Sequence, residues 1–315
     1  MAEKTATRDA YGKALARMGR THPEIVVLDA DLSESTRTVH FAKEFPERFF
    51  QMGIAEQDMI NTAAGLATCG KLPFVSTFAT FGARGWEQVR NTVARCNLRV
   101  VIAFTHAGLS VGEDGASAQA NEDIAIFRTV PHMKVVVPAD GVETEKAIEY
   151  LVEADVSGPT YLRLGRAKCA AVFDDRHQFV LGEAATLRDG NDLTIAACGV
   201  MVGPALEAAD LLRDRHGLSA RVLNMSSVKP LDEETLVKAA RQTGAVVTAE
   251  EHSVIGGLGG AVAELLAQKH PVPVEMVGVR DVFGESGTPD ELFQKYGLTT
   301  ADVVAAARRA AGRKT

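Results

Sequence analysis

The sequence predicts an α/β protein of two domains, each with a mostly parallel sheet that is covered by helices on both faces. Continuous apolar runs such as Ile25-Val26-Val27-Leu28 are typical of strands buried on both faces of a parallel sheet. These runs alternate with segments in which apolar residues recur at helical spacing, which indicates repeated strand-helix units. At 315 residues, the chain is also long enough for two domains of ordinary size.

The first domain is predicted at residues 1–168. It opens with a helix over 4–19, which His22-Pro23 breaks. Phe49 and Phe50 are interpreted as the end of a buried strand, and a helix is predicted from Glu56 until Gly70. The other strands of this domain are predicted at 25–28, 74–76, 100–104, 135–137 and 161–164.

A polar, turn-rich segment at 169–190 is predicted to be a linker, and the second domain is predicted at 191–315. Its last two helices begin at the capping sequences Thr288-Pro289 and Thr299-Thr300. Its strands are predicted at 193–197, 220–223, 246–249 and 274–279, and its other helices at 201–215, 232–242 and 257–268.

Composition excludes several classes of protein. The residues are 46% hydrophobic and 24% charged, and the net charge of −7 without a basic stripe argues against nucleic-acid binding. Four widely spaced cysteines indicate reduced thiols and not a disulfide framework or a zinc site. The first five residues lack the apolar core of a leader, and no apolar run reaches about 18 residues. We therefore expect a cytoplasmic protein that does not bind a membrane.

The segment Gly53-Ile54-Ala55-Glu56-Gln57 lies where a strand meets a helix. Glu56 is therefore predicted in the first helical turn at the carboxyl end of a strand, which is where open α/β sheets bind ligands. The alternative is an ordinary acidic residue that is favoured at a helix N-terminus by the helix dipole. The local sequence leaves both interpretations open.

Two further segments follow predicted strands. Ser76-Thr77-Phe78-Ala79-Thr80-Phe81 places two aromatic residues three positions apart, which suits either a core or a stacking surface for a flat ring. Thr105-His106 opens the glycine-containing loop Gly108–Gly115. A histidine at the end of a strand is a candidate for proton transfer, because its ordinary pKa lies near neutrality.

Together these segments closely resemble the C-terminal half of transketolase, and more narrowly the second subunit of a transketolase that is split over two genes. The motifs GIAEQ, STFATF, TH and SVGEDG occur in the family's order and at family-like spacing, and the resemblance covers nearly all of the chain. It implies a thiamine-diphosphate enzyme that moves a two-carbon ketol unit from a ketose phosphate to an aldose phosphate.

The resemblance also implies roles for residues at the cofactor. Glu56 would hydrogen-bond the aminopyrimidine ring and favour its imino tautomer, in which the ring acts as the base. Phe78 and Phe81 would form the wall on which the pyrimidine stacks. The family's third aromatic residue is replaced by Arg84, whose guanidinium can also stack on a ring, so we expect a changed wall and not a lost one.

Three more residues match family positions near the cofactor. Ile54 and Leu32 fall where the family places apolar side chains against the bent cofactor, and Asp31 matches a carboxylate that faces the thiazolium region. Without the resemblance, a core aliphatic and a loop-capping residue explain them equally well.

The donor sugar has its own set of matching residues. Arg8, Ser35 and Arg166 match the family's sugar-phosphate site, and guanidinium groups suit a phosphate because they bind it in bidentate fashion. His106 and Asp114 match residues that contact the hydroxyl groups of the donor. Singly, Arg8, Ser35 and Arg166 could equally be solvated surface or loop residues.

The chain departs from the family at Ala118, where the family's loop usually carries a histidine. Alanine cannot hydrogen-bond a substrate hydroxyl, which puts the usual ketose specificity in doubt. In the second domain, the cluster Gly256–Gly260 is interpreted as tight strand-to-helix packing, since it lacks the Lys-Ser/Thr of a phosphate loop. Glu250-Glu251-His252 has the composition of a metal site but no suitably spaced partners.

The family's diphosphate anchor, a Gly-Asp-Gly followed some thirty residues later by an Asn, has no match at suitable spacing in the sequence. The resemblance therefore implies an N-terminal, diphosphate-binding partner subunit that holds Mg²⁺ (or Ca²⁺), in an α2β2 heterotetramer. One alternative is the β-type subunit of another thiamine-dependent enzyme, either a 2-oxo-acid dehydrogenase or a deoxyxylulose-phosphate synthase-like protein. Another is a non-catalytic partner subunit, an interpretation that Ala118 and Arg84 favour.

Overall fold

The computed structural model of the protein describes residues 4–154 and 156–314. Its main sheets have seven and five strands, mostly parallel, with helices on both faces of each, so the predicted fold class is confirmed. The predicted domains begin at residue 1 and end at residue 315, so their outer limits lie outside the described residues. Residues 1–3, most of the N-terminal stretch that lacks the apolar core of a leader, lie outside them as well.

The seven-stranded sheet forms the first domain. Its strands are parallel to their neighbours except for one antiparallel edge strand. In order across the sheet they are Ser227–Lys229, Lys134–Val136, Thr160–Arg163, Val101–Phe104, Leu72–Ser76, Ile25–Asp29 and Phe49–Gln51. The α-helices of this part of the chain are Thr7–Gly19, Ser33–Thr36, Val39–Glu44, Glu56–Thr68, Ala79–Gly82, Trp86–Gln88, Asp123–Arg128 and Gly141–Glu153.

The five-stranded sheet forms the second domain. In order across the sheet its strands are Val274–Val279, Val246–Ser253, Leu193–Ala197, Ala220–Asn224 and Ala185–Arg188, of which only the last is antiparallel to its neighbour. Its α-helices are Val202–His216, Glu233–Thr243, Leu258–Lys269, Pro289–Tyr296 and Thr300–Gly312. The last two begin with the capping boxes that the sequence predicted at Thr288 and Thr299.

The segment predicted as a linker contains regular structure. Ala185–Arg188 is an edge strand of the second sheet, so the prediction that residues 169–190 are only a connection is wrong in this part. Lys168–Cys169 pairs antiparallel with Thr5–Ala6, which precedes the first helix. The sequence did not indicate either strand because edge strands pack one face only and carry a weak apolar pattern.

The strand Ser227–Lys229 crosses from the second domain into the first. It lies between strands of the second domain in sequence, yet it pairs antiparallel with Lys134–Val136 at the edge of the seven-stranded sheet. Lys229 also donates through Nζ to the carbonyl oxygens of Arg128, at 2.9 Å, and Val130, at 2.6 Å. The two domains therefore share main-chain and side-chain hydrogen bonds.

At the opposite edge of this sheet, the strand Phe49–Gln51 was predicted to be buried. Phe50 is instead 38% exposed, because the strand has a neighbour on one side only. Across residues 4–154 and 156–314, no helix is both long enough and apolar enough to span a membrane.

Candidate active site

The candidate site residues lie on loops that follow five neighbouring parallel strands of the first sheet. The carboxyl ends of parallel strands meet at one edge of a sheet, so segments far apart in sequence lie side by side. Across that edge, from Thr160–Arg163 to Phe49–Gln51, the loops carry Arg166, His106, Phe78, Asp31 and Glu56.

Glu56 is the first residue of the helix Glu56–Thr68, as predicted, and its side chain is only 6% exposed. Arg84 Nη1 donates to Glu56 Oε1 at 3.0 Å, and among the described residues this is the one side chain that hydrogen-bonds the carboxylate. The guanidinium carbon of Arg84 lies 5.1 Å from the centre of the Phe81 ring. Arg84 therefore lies against the Phe81 ring and also pairs with Glu56, which the sequence did not indicate, while its role in a wall for the pyrimidine stays a prediction.

The aromatic side chains form a continuous stack. The rings of Phe78 and Phe81 lie 5.4 Å apart at an interplanar angle of 13°, and the His106 ring lies 3.6 Å from Phe78 on a nearly parallel plane. The backbone fixes this arrangement, because the Ala79 amide donates to the Thr105 carbonyl at 2.8 Å and couples the two loops. The stack links Glu56 and Arg84 at one end to His106 at the other.

His106 is held as a neutral imidazole. Burial lowers its pKa to about 3, and the positive charges of Arg8, Arg166 and Arg37 act in the same direction. Its Nε2 lies 3.1 Å from Arg8 Nη1, which can only donate, so Nε2 accepts and the proton is assigned to Nδ1, 2.8 Å from Thr105 Oγ1. The expectation of a pKa near neutrality is therefore wrong for this chain, and the proton-transfer role stays a prediction.

This depressed pKa gives the protein a specific pH dependence. The unfolded chain takes up a proton on His106 below about pH 6.5. The folded chain takes up this proton only near pH 3. The contribution of neutral His106 to the free energy of unfolding is therefore complete above pH 6.5 and is lost as the pH falls toward 3. Between pH 6.5 and 4.5, the free energy of unfolding of His106→Asn should fall about 2–3 kcal/mol less than that of the wild type, as measured by urea unfolding.

His132→Asn is the matched control for this measurement. Both histidines have a left-handed backbone, with φ of 56° at His106 and 65° at His132, and asparagine tolerates that conformation. Because His132 is exposed, its variant shows what the replacement of a surface histidine by asparagine does to the same profile. Equal slopes for the wild type and the His106 variant would contradict the assignment of a buried neutral imidazole.

A cluster of guanidinium groups lies beside His106. Arg8 is half-buried and donates through Nη1 to the carbonyl oxygen of Ser35 at 2.9 Å, so the hydroxyl of Ser35 is not the group it contacts. Its Nε is buried, and no hydrogen-bond partner for it is found in the part of the chain that the structure describes. Burial lowers the pKa of Arg8, as do the nearby charges of Arg37 and Arg166. Such a cluster favours an anionic ligand.

Arg37 is a member of this cluster that sequence reasoning missed. It ends the short helix Ser33–Thr36 with a φ of 70°, and its Nε donates to Asp9 Oδ1 at 2.6 Å. Arg166, at the other side, lies 3.6 Å from Asp114 Oδ1 and also donates to the carbonyl oxygen of Val111. No sequence signal distinguished Arg37 from an ordinary polar loop residue.

Asp31, Leu32 and Ile54 lie at the same sheet edge but outside the aromatic stack. The Asp31 amide donates to Gln51 Oε1 at 2.7 Å, and the Ile54 side chain is 76% exposed. Asp29, which sequence reasoning passed over, is buried and accepts from the Leu32 amide at 2.6 Å and from the hydroxyls of Thr36 and Thr38. Asp29 therefore holds the loop that carries Asp31, Leu32, Ser35 and Arg37.

In the second domain, Glu250 caps a helix. Its carboxylate accepts from the amides of Leu258 and Gly259 at 2.7 and 2.8 Å, at the start of Leu258–Lys269. A β-carbon at Gly257 would overlap the same carboxylate, so the prediction of tight strand-to-helix packing is confirmed. Among the described residues, no group of three or more histidine, cysteine or acidic side chains is arranged to hold a metal ion.

Comparison with known families decides the classification. Residues 3–170 match the pyrimidine-binding domain of transketolase, and residues 182–303 match the transketolase C-terminal domain. The chain belongs to the transketolase family. It contains the family's pyrimidine-binding domain followed by the family's C-terminal domain, in the order that the sequence predicted.

Several transketolase relatives are similar over nearly their whole length. The 6-deoxy-6-sulfo-D-fructose transketolase subunit SqwH of Clostridium sp. (strain MSTE9) is 42% identical over 98% of this chain and 95% of its own. An apulose-4-phosphate transketolase subunit of Phocaeicola vulgatus is 43% identical over 93% of each chain. A solved structure of a split-gene transketolase, described as an inactive β4 tetramer, is 52% identical, with a TM-score of 0.91 over 99% of this chain and 100% of its own.

The transketolase pyrimidine domain implies thiamine diphosphate, and the residues present fit its aminopyrimidine part. A buried carboxylate is costly unless it is paired, and the only hydrogen-bonding side chain found for Glu56 within the described residues is that of Arg84, which is 58% exposed. The nearly parallel rings of Phe78 and Phe81, next to Arg84, are suited to stack on a flat heteroaromatic ring. Ala118, where the transketolase loop usually has a histidine, is 7% exposed, and the change in donor preference expected from it stays a prediction.

Proposed function

We propose that this chain is the pyrimidine-binding and C-terminal subunit of a heteromeric transketolase. The complex moves a two-carbon ketol unit from a ketose phosphate to an aldose phosphate. The observation that carries the proposal is the unbroken set of contacts from Glu56 through Arg84, Phe81, Phe78 and His106 to Arg8. It joins a carboxylate, stacked aromatic faces and an anion site along one edge of the sheet.

Each of these groups has a role in the proposed reaction. Thiamine diphosphate, when bound, supplies a nucleophilic thiazolium carbon. Glu56 holds a proton at the pyrimidine ring nitrogen, while Phe78 and Phe81 orient the ring by stacking. Neutral His106 accepts a hydrogen bond from a donor hydroxyl through Nε2 and gives up its contact with Arg8.

The substrate-binding residues follow the same geometry. Arg8 and Arg166 bind the terminal anion of the sugar, with Ser35 beside Arg8 and Asp114 beside Arg166. Asp31, Leu32 and Ile54 lie on the thiazolium side of the site. The named relatives act on a sulfosugar and on apulose 4-phosphate, so the identity of the sugar is tested with a panel that includes phosphate and sulfonate donors.

The partner is an N-terminal, diphosphate-binding subunit, which holds Mg²⁺ (or Ca²⁺), in an α2β2 heterotetramer. Relatives of similar length are named as transketolase subunits, which favours ketol transfer over the 2-oxo-acid dehydrogenase and deoxyxylulose-phosphate synthase-like alternatives. Ile54, two residues before Glu56, is 76% exposed, and Phe283, which lines a cavity together with Thr80, is 89% exposed. Large apolar side chains exposed beside a candidate site are suited to a protein interface.

The expected result of the central experiment is that thiamine diphosphate binds weakly to this chain alone and tightly once the N-terminal subunit is added. The physical reason is that the diphosphate and its metal ion are the cofactor's most strongly charged part, and their anchor belongs to the partner. Isothermal titration calorimetry with thiamine diphosphate and Mg²⁺ measures both states. Ketol transfer is then assayed with the donor panel in the assembled complex.

Two outcomes would contradict the proposal. Micromolar binding of the cofactor to this chain alone would exclude the division of the site between subunits. A complex that assembles and binds the cofactor, but transfers no ketol unit from any donor, would favour the non-catalytic alternative.

A further inference from the structure

The strand Val246–Ser253 carries three buried titratable residues, Glu250, Glu251 and His252, of which the proposed function uses none. Glu250 and Glu251 are adjacent, yet their side chains lie on opposite faces of the strand. Glu250 caps a helix of its own domain, whereas Glu251 faces the first domain. Separate substitutions of the two residues therefore distinguish the contact that Glu251 makes with the first domain from the contact that Glu250 makes within the second.

Glu251 lies against the loop Gly108–Gly115 of the first domain. Its Oε1 accepts the Ser110 amide hydrogen, and a β-carbon at position 108 would overlap its carboxylate. Gly108 also has a φ of 84°, which side chains rarely adopt. Glycine at 108 is therefore required both by the backbone conformation and by the close approach of Glu251.

A buried ionic network holds Glu251 in turn. Arg163, at the end of a central strand of the first sheet, donates to the Glu251 carbonyl oxygen at 2.8 Å and lies 3.9 Å from its carboxylate. Arg163 also donates through Nε to Asp123 Oδ2 at 2.7 Å, and the Tyr161 hydroxyl donates to the same oxygen. All four residues are at most 6% exposed, so breaking one contact leaves buried charge unpaired.

The loop that Glu251 holds reaches the anion site. Val111, the residue after Ser110, accepts a hydrogen bond from Arg166 through its carbonyl oxygen. Further along the loop, Glu113 and Asp114 lie 3.3 and 3.6 Å from the Arg166 guanidinium. Ser110, which donates to Glu251, is adjacent to Val111, which accepts from Arg166, so the loop connects Glu251 to Arg166.

We infer that Glu251 is a positioning residue through which the second domain holds the Gly108–Gly115 loop, and with it Arg166, in the geometry that binds the terminal anion of the sugar. The inference deepens the proposed function and rests on it for the identity of the ligand. It gives the second domain a role in substrate binding, although the contacts from Glu56 to Arg8 involve residues of the first domain alone.

The first test needs no substrate. Hydrogen exchange is followed at individual amides of the full chain for Glu251→Ala, Glu251→Gln and the matched control Glu250→Ala. Removing the carboxylate acceptor should speed exchange at Ser110 about tenfold or more in Glu251→Ala. Glutamine keeps an acceptor oxygen, so Glu251→Gln should lie between the wild type and Glu251→Ala. Glu250→Ala should speed exchange at Leu258 and Gly259 but not at Ser110.

The second test uses the complex assembled with the N-terminal subunit. Glu251→Gln should raise the KM for a phosphorylated donor about fivefold to tenfold, well below the roughly hundredfold loss that a 1 Å misplacement can cause. The kcat should change less than about twofold, and the KM for the dephosphorylated sugar should rise less than that for the phosphorylated donor, because Arg166 contacts only the terminal anion while Asp114 of the same loop contacts a hydroxyl that both sugars carry. Glu250→Gln should leave both KM values unchanged.

Unchanged protection of Ser110 in both Glu251 variants would overturn the inference, as would equal changes in KM for the Glu250 and Glu251 variants. If the wild-type complex transfers no ketol unit, the proposed function fails. In that case the exchange of the Ser110 amide still decides whether Glu251 holds the loop.

Discussion

Replacing Glu56 by glutamine is expected to lower the kcat of the assembled complex about 10²- to 10⁴-fold, the usual range for the loss of one proton-transferring group. Glutamine has nearly the same shape, but it cannot hold a transferable proton at a ring nitrogen. The side chain is buried at a helix start, and among the described side chains it forms a hydrogen bond only with Arg84, which an amide oxygen can also accept, so folding and assembly should be preserved. Steady-state kinetics and analytical ultracentrifugation together measure both effects.

Asp58→Asn is the matched control, because Asp58 lies in the same helical turn but is exposed. It removes one negative charge from the helix N-terminus at a side chain that is not among the proposed site residues. The control should retain nearly the wild-type kcat. A Glu56→Gln complex that turns over at a rate close to the wild type would exclude Glu56 as the group that holds the proton.

Replacing Arg8 by methionine is expected to raise the KM for a phosphorylated donor about 10- to 100-fold, the range for the loss of a hydrogen bond to a charged group. Arg8 is half-buried among Arg37, Arg166 and His106, and its buried Nε lacks a partner within the described residues. Methionine preserves the unbranched apolar stem while it removes the charge. The KM for the dephosphorylated sugar, measured beside it, should change far less.

Arg17→Met is the control for this variant. Arg17 lies on the same helix, Thr7–Gly19, but pairs on the surface with Glu145 and Glu149. Its loss should leave the KM for every donor unchanged. Equal effects of Arg8→Met on phosphorylated and dephosphorylated donors would show that Arg8 does not contact the phosphate.

Local patterns predicted much of the fold. The strands Leu193–Ala197 and Val274–Val279 have the predicted bounds, and the helix caps at Thr288 and Thr299 are present, because apolar periodicity and capping depend on adjacent residues. The position of Glu56 in a first helical turn was predicted for the same reason.

Other features depend on partners that are distant in sequence. Ser227–Lys229 is only three residues long and pairs with a strand some ninety residues earlier, so no local pattern marks it. Arg37 joins the anion site only through the fold of its loop. The ionisation of His106 could not be predicted either, since its pKa depends on burial and on three arginines from other segments.

The shared strand Ser227–Lys229 limits how this protein can be divided. A fragment that ends at residue 170 would lack this strand and leave the outer main-chain groups of Lys134–Val136 unpaired. An open sheet edge of this kind is a template for self-association, and the complementary fragment would carry a strand without a sheet. The two regions that sequence comparison recognises are therefore not separable modules. A chimera that exchanges either one between relatives must move the exchange point or carry the strand along with the first domain.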